Sequence, residues 1–98
     1  MKNILLNINK AFDHRIRLGI MSILMVNESV DFTTLKDLLG ATDGNLASHT
    51  KALEKVGFIK VEKQFVGRKP NTKYSVTKIG EQEFKKHIEA LEKIINKT

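Results

Sequence analysis

Asn45, Ser48, Lys51 and Lys55 fall within one stretch, Asp43 to Val56, that ends at Gly57. Wound at about 100° per residue, this stretch turns Leu46, Thr50, Leu53 and Gly57 to one side, with His49 and Val56 beside them. The opposite side carries Gly44, Ala47, Ser48, Lys51 and Lys55. Small residues there allow a close approach of the backbone to a partner. An Asn amide matches the donor–acceptor pair on adenine, a Ser hydroxyl bonds to several bases, and a Lys reaches a guanine edge or a phosphate. The chemistry on offer is hydrogen bonding and charge neutralisation, not bond breaking.

A second cationic cluster is Gly67-Arg68-Lys69-Pro70-Asn71-Thr72. Arg68 and Lys69 stand at the expected tip of a hairpin, from which an Arg can enter a minor groove narrowed by A·T pairs. Lys63 and Lys73 are expected on its shanks, in reach of phosphates. Thr33 and Thr34, at the start of a short helix, are candidates for phosphate contacts. Thr42 or Asp43 is expected to cap the helix beginning at Asp43, and a carboxylate at that end competes with a phosphate for the free N–H groups.

Other chemistry finds little support. With no cysteine, disulfides, thiolate metal sites and cysteine nucleophiles are excluded. Glu83 and His87 are four residues apart, which suits half of a metal site but suits a solvated helix face better. Ser48 and His49 are helical neighbours whose side chains diverge, and no third group orients them. No Gly-rich phosphate loop and no acid–base dyad occur. No residue pattern designates a cofactor, a metal or a small-molecule effector, and no enzymatic role is expected.

The charge distribution agrees. The 98 residues include 17 Lys+Arg and 11 Asp+Glu, a net charge of +6. Residues 43–74 contain seven Lys/Arg against three acids, an excess of four, and the other 66 residues have an excess of only two. Such a surface suits a polyanion. The length accommodates a single domain over 1–98. No apolar run approaches the roughly 18 residues of a membrane span. The opening MKNILLNINK lacks a small-residue cleavage site and reads as mature sequence. A cytoplasmic location fits the absence of cysteine.

Hydrophobic spacing supplies the positioning elements. Leu5, Ile8 and Phe12 predict a helix over about 3–12, with Asp13 capping the next. Ile16-Ile20-Ile23 and Leu18-Met21-Met25 form two stripes, as in a helix packed on two sides. A short strand is expected at Val30-Asp31-Phe32, then a helix from Leu35 to Leu39 behind Thr33 and Thr34. Ile59, Val61 and Phe65 alternate as a strand does, and so does Lys73-Tyr74-Ser75-Val76, which predicts a hairpin with a long basic tip. Phe84, Ile88, Leu91 and Ile95 form one apolar stripe on a charged last helix. The stripes of the two terminal helices are expected to pack across a two-fold axis, making the protein a homodimer.

In this order the segments resemble the winged helix-turn-helix of MarR-type and ArsR-type prokaryotic transcriptional regulators. Residues 12–21 (FDHRIRLGIM) are similar to the first-helix pattern of that superfamily. Residues 45–59 (NLASHTKALEKVGFI) are similar to its recognition helix and the turn into the wing. GRKP at 67–70 and KYSVTKIG at 73–80 are similar to its wing and the start of its last helix. The resemblance implies a mainly α fold with a small β-hairpin (α+β), the helix-turn-helix at about 33–56, the wing at about 58–76 and dimerisation helices at about 3–12 and 78–96. It implies sequence-specific binding of double-stranded DNA, with one helix in the major groove and the wing in the minor groove. Two alternatives use the same segments. One is a winged-helix module that binds a protein. The other is RNA binding, which the lack of an evident aromatic platform disfavours.

Overall fold

The computed structural model describes residues 5–96. Helix α1 (Arg15–Met25) starts where His14, in extended conformation, accepts the Ile16 N–H on Nδ1 at 3.1 Å. His14 therefore fills the capping role expected of Asp13. Ile16, Ile20, Met21 and Leu24 are buried, and Leu18, Ile23 and Met25 pack partly buried against the same core. The helix is covered on two sides, as its two stripes require.

Strand β1 (Val30–Asp31) leads directly into α2 (Phe32–Leu39). The cap here is Asp31, whose carboxylate accepts the Thr34 N–H at 2.8 Å. This bond holds Asp31 below the ordinary carboxylate pKa. Thr33 and Thr34 lie inside the first turn, not before it, because the Asp31 side chain already reaches the third helical N–H. Helix α3 (Asp43–Lys55) is capped by Thr42, whose hydroxyl accepts the Asn45 N–H at 3.1 Å. That leaves the Asp43 carboxylate free to pair with Lys36 of α2 at 2.8 Å.

Strands β2 (Ile59–Val66) and β3 (Lys69–Val76) form the hairpin, and β1 adds to the far side of β3 to give an antiparallel sheet of order β1-β3-β2. The expected long tip is a two-residue turn, since Val66 pairs with Lys69 and only Gly67 and Arg68 intervene. Gly67 has φ +66, and no non-glycine residue has positive φ among the described residues. This is the pattern of a type II′ turn, which demands Gly first and matches the twist of the strands. Pro70 does not interrupt β3. It pairs with Phe65, one step from the turn, where its missing N–H would face away from β2 and beyond the reach of β1.

Helix α4 (Lys78–Ile95) is fastened to the base of the hairpin by Thr77. The Thr77 hydroxyl donates to the Gly57 carbonyl at 2.7 Å and accepts the Gly80 N–H at 2.9 Å, while its N–H donates to the Phe58 carbonyl at 3.1 Å. A Cβ on Gly80 would overlap that Phe58 carbonyl, so only glycine lets α4 approach this closely.

The N-terminal segment departs from expectation. The predicted helix over about 3–12 begins outside the described residues, and in their part of it the only helical turn is a 3₁₀ turn at Lys10–Phe12. Asn9 explains the break. Its side chain caps this turn by accepting the Ala11 N–H, and its own N–H donates to His87 Nδ1 of α4 at 3.0 Å. Phe12 is fully buried within its own chain, with its ring 5.2 Å from that of Phe58 and 5.1 Å from that of Phe84. Phe12 and the buried Phe84 therefore belong to the intrachain core. Ile8 is half-buried, and Leu5, Ile88, Leu91 and Ile95 are more exposed.

Candidate nucleic-acid interface

Helix α3 divides by exposure along the line its sequence draws as far as Lys55, whereas Val56 and Gly57, expected at the core side, lie past its end and are exposed. Leu46, Thr50 and Leu53 are buried, whereas Gly44, Asn45, Ala47, Ser48, Lys51 and Lys55 are exposed. Thr50 satisfies its hydroxyl by donating to the Leu46 and Ala47 carbonyls at 2.9 and 3.1 Å. The polar group on the buried face thus costs no unpaired donor. An exposed ion pair, Asp43 with Lys36, joins the start of α3 to α2, while Leu35 of α2 and Leu46 and Leu53 of α3 share the core that packs the two helices together.

On one flank of α3 lies the wing. A groove of about 450 Å³ runs between them, lined among others by Ala47, Lys51 and Glu54 of α3 and by Lys63, Thr72 and Tyr74 of the sheet. Tyr74 is buried beneath it, and that burial raises its phenol pKa. Strand alternation sends Ile59, Val61, Lys63 and Phe65 to this groove face, together with Pro70, Thr72, Tyr74 and Val76. Lys60, Glu62, Lys69 and Lys73 take the other face. The two shank lysines are thereby separated. Lys63 faces α3, whereas Lys73 stands across from Glu62 and Asp31 and helps to lower the Asp31 pKa. Arg68 and Lys69 are exposed at and beside the turn.

On the other flank is a cluster that sequence reasoning missed. His14 and His49 lie ring against ring, centroids 4.0 Å apart and planes tilted by 34°. Arg17 Nε donates to His49 Nδ1 at 3.0 Å, and its Nη1 donates to the Ala11 carbonyl at 3.3 Å. Burial chiefly, then the neighbouring His14 and Arg17 charges, hold the His49 pKa below that of a free imidazole. His49 is thus a neutral acceptor that braces α3 against α1, and it is turned away from any partnership with Ser48. The signal was Arg17 itself, a cation set between the apolar Ile16 and Leu18 of this helix.

His87 also differs from expectation. It is buried between Phe12 and Phe84, and not on a solvated face. Glu83 and His87 both serve Asn9, Glu83 Oε1 accepting from Asn9 Nδ2 at 3.4 Å. Among the described residues no cluster of three or more His, Asp or Glu suits a metal ion. No described helix is long and apolar enough to cross a membrane.

One further departure concerns aromatics. Phe65 is 73% exposed, near the end of the wing. The sequence showed its strand alternation but not that the core stops at Val61 and Tyr74, leaving residues 62–70 all exposed.

Comparison with known proteins bears on this arrangement. Residues 16–95 match a family described as winged helix DNA-binding domain. An uncharacterized protein of Methanocaldococcus jannaschii is 35% identical over 79 residues, covering 81% of this chain and 86% of that protein. The structure of a transcriptional regulator homologue from Pyrococcus horikoshii OT3 superposes with a TM-score of 0.85 at 31% identity, covering 95% of this chain and 90% of that one. A Porphyromonas gingivalis protein assigned to the MarR family superposes at 0.68 with 20% identity over 91% of this chain and 86% of its own, a likeness of fold.

Proposed function

Since the chain belongs to the winged helix DNA-binding domain family, we propose that it is a sequence-specific transcriptional regulator that binds double-stranded DNA as a homodimer. Helix α3 enters the major groove and the wing enters the adjacent minor groove. The observation that carries this is the exposed face of α3. Asn45, Ser48, Lys51 and Lys55 stand clear of the core on a helix joined to α2 at its start and braced on α1 through Arg17 and His49. Asn45 and Ser48 read base edges, Ala47 and Gly44 permit close approach, and Lys51 and Lys55 meet a guanine edge or phosphates. Asp43 lies at this same end with its charge compensated by Lys36. Thr33, Thr34 and Lys63 contact the backbone, and so do Lys69 and Lys73 from the opposite face of the wing. Arg68 enters the minor groove. No catalytic role is proposed.

The homodimer is supported by the exposed part of α4. Ile88 and Leu91 are partly exposed and Ile95 is largely exposed, and a groove of about 530 Å³ lined by Ser22, Met25, Phe84 and Ile88 together with Lys85, Glu89 and Glu92 runs along this helix. A second chain covering this surface brings two α3 helices to a pseudo-palindromic site. The proposed interface extends to the exposed Leu5 and half-buried Ile8 of the N-terminal segment.

Selection of bound duplexes from a random pool tests the proposal. The expected result is one motif in two inverted half-sites, separated by about 10 base pairs or a multiple of that. Enrichment of no motif, with equal binding to heparin and duplex, would overturn it. Preferred binding to single-stranded RNA would overturn it as well.

A further inference from the structure

Building on the DNA-binding function proposed above, we infer that Phe65 is an apolar wedge, which the wing drives into the minor groove so that one base step beside each half-site is loosened. The position of the ring carries the inference. Phe65 shares its sheet face with Lys63, and Lys63 lines the groove opposite Lys51 of α3. Two residues of strand carry it about 7 Å further toward the tip. The ring therefore stands on the α3 side of the wing but past the groove, where a duplex seated on α3 presents its next minor groove.

Among the described residues, Phe65 belongs to no core cluster that would account for an aromatic residue there. Phe65 is 73% exposed, and every residue from Glu62 to Pro70 is exposed. Its cross-strand partner is Pro70, in a pair of the kind that brings side chains close together. Pro70 and the tight Gly67-Arg68 turn stiffen the backbone from which the ring projects.

Charge identifies the occupant. On the groove face of the wing, beyond the core, Phe65 is accompanied by Lys63, Thr72 and Pro70, with no carboxylate on the wing itself; Glu54 of α3 lines the groove further in, together with Lys51 and Lys63. Arg68 adds a cation at the turn. The acid of this hairpin, Glu62, points to the other face, near Lys60 at 3.9 Å. An apolar ring framed by cations suits a polyanion with an apolar interior, and the minor groove of DNA has sugar walls and stacked bases behind its phosphates. Apolar side chains that enter it part base steps and bend the duplex toward the major groove. Pyrimidine–purine steps part most easily. The wing then distinguishes sequences in two ways. Arg68 favours A·T pairs, and Phe65 favours a flexible TA step among them over a stiff A-tract.

The test uses the selected duplex with 2-aminopurine placed at successive flanking positions, and a second copy carrying end labels for energy transfer. Wild type, Phe65→Ala and Phe65→Leu are compared, each checked for an unchanged thermal transition. With wild type, fluorescence should rise at one step per half-site and the ends should draw together. Phe65→Ala should lose both signals, bind more weakly by on the order of tenfold, and no longer prefer TA over AA at that step. Phe65→Leu should retain part of each. If Phe65→Ala binds and bends the duplex as wild type does, the wedge is overturned while DNA binding stands. If wild type binds the duplex without any fluorescence change, the wedge is likewise overturned. If wild type selects no duplex at all, the functional proposal fails, and the wedge with it. Protection of Phe65 by an acidic protein instead of DNA would also count against it.

Discussion

Of the places where this molecule exposes apolar side chains, the wing and the last helix differ most in what surrounds them. At the wing, Phe65 and Val66 are 73% and 59% exposed on opposite faces of a hairpin rich in cations. On α4, Ile88 and Leu91 are each 37% exposed and Ile95 is 78% exposed, beside a groove that Glu89 and Glu92 border together with Lys85. The wing patch is small and positively framed. The α4 patch is continuous, of mixed charge, and set beside a concavity. Exposed apolar surface by itself names no partner. Its electrostatic frame separates a surface suited to a polyanion from one suited to a second copy of the same chain.

Salt should separate the two surfaces most strongly. If Lys51, Arg68, Lys69 and Lys63 in both subunits neutralise about six to ten phosphates, DNA affinity should fall on the order of 10³–10⁵-fold between about 50 and 200 mM salt. Association through α4 should change little over the same range, because it rests on apolar burial. Binding isotherms and sedimentation across one salt series check both halves. A flat DNA titration would remove the distinction between the patches.

Leu91→Glu strikes the other surface. It sets a carboxylate within the proposed subunit contact, at a cost of several kcal/mol, incurred once per subunit. The variant should sediment as a monomer and bind DNA more weakly, since one module makes half the contacts. Wild type that already sediments near 11.1 kDa at micromolar concentration would refute the dimer. The exposed part of α4 would then need another partner.

Within the DNA surface, helix and wing should divide the work. Ser48→Ala should alter the base preferred at one position per half-site, at a cost of about 1–3 kcal/mol. Arg68→Ala should weaken binding chiefly on A·T-rich flanks. Equal losses on every sequence would mean that neither residue reads the duplex.

The sequence revealed the helix-turn-helix more fully than the parts that hold it. Helix α3 was legible because its two faces differ in residue type at a 3.6-residue period, and the wing because its strands alternate. Caps were less legible. Asp31, Thr42 and His14 each compete with a neighbour able to do the same task, and side-chain reach decides among them. In the N-terminal segment Leu5, Ile8 and Phe12 have helical spacing, yet Asn9 bonds to Glu83 and His87, 74 and 78 residues away in the chain. A long-range hydrogen bond leaves no periodicity. The alternation places both Lys63 and Lys73 on the shanks, but only the register shows that they take opposite faces.

The smallest expected effect concerns the histidines that serve the two regions separately. His49 braces the recognition helix and His87 anchors the N-terminal segment to α4. Each accepts a hydrogen bond on Nδ1, so each must be neutral there, and burial is the chief cause that depresses both pKa values below the ordinary 6.5. The unfolded chain takes up protons that the folded chain refuses. Stability is therefore fully present above about pH 6.5 and declines as the pH falls through that value toward the depressed folded pKa. The slope is at most about 1.4 kcal/mol per pH unit for each group. Urea unfolding from about pH 8 to 5, at one protein concentration, should show this decline. His87→Gln should lessen the slope without disturbing the brace on α3, and His49→Gln should do so while also lowering DNA affinity. If neither variant alters the slope, the two imidazoles do not couple folding to pH.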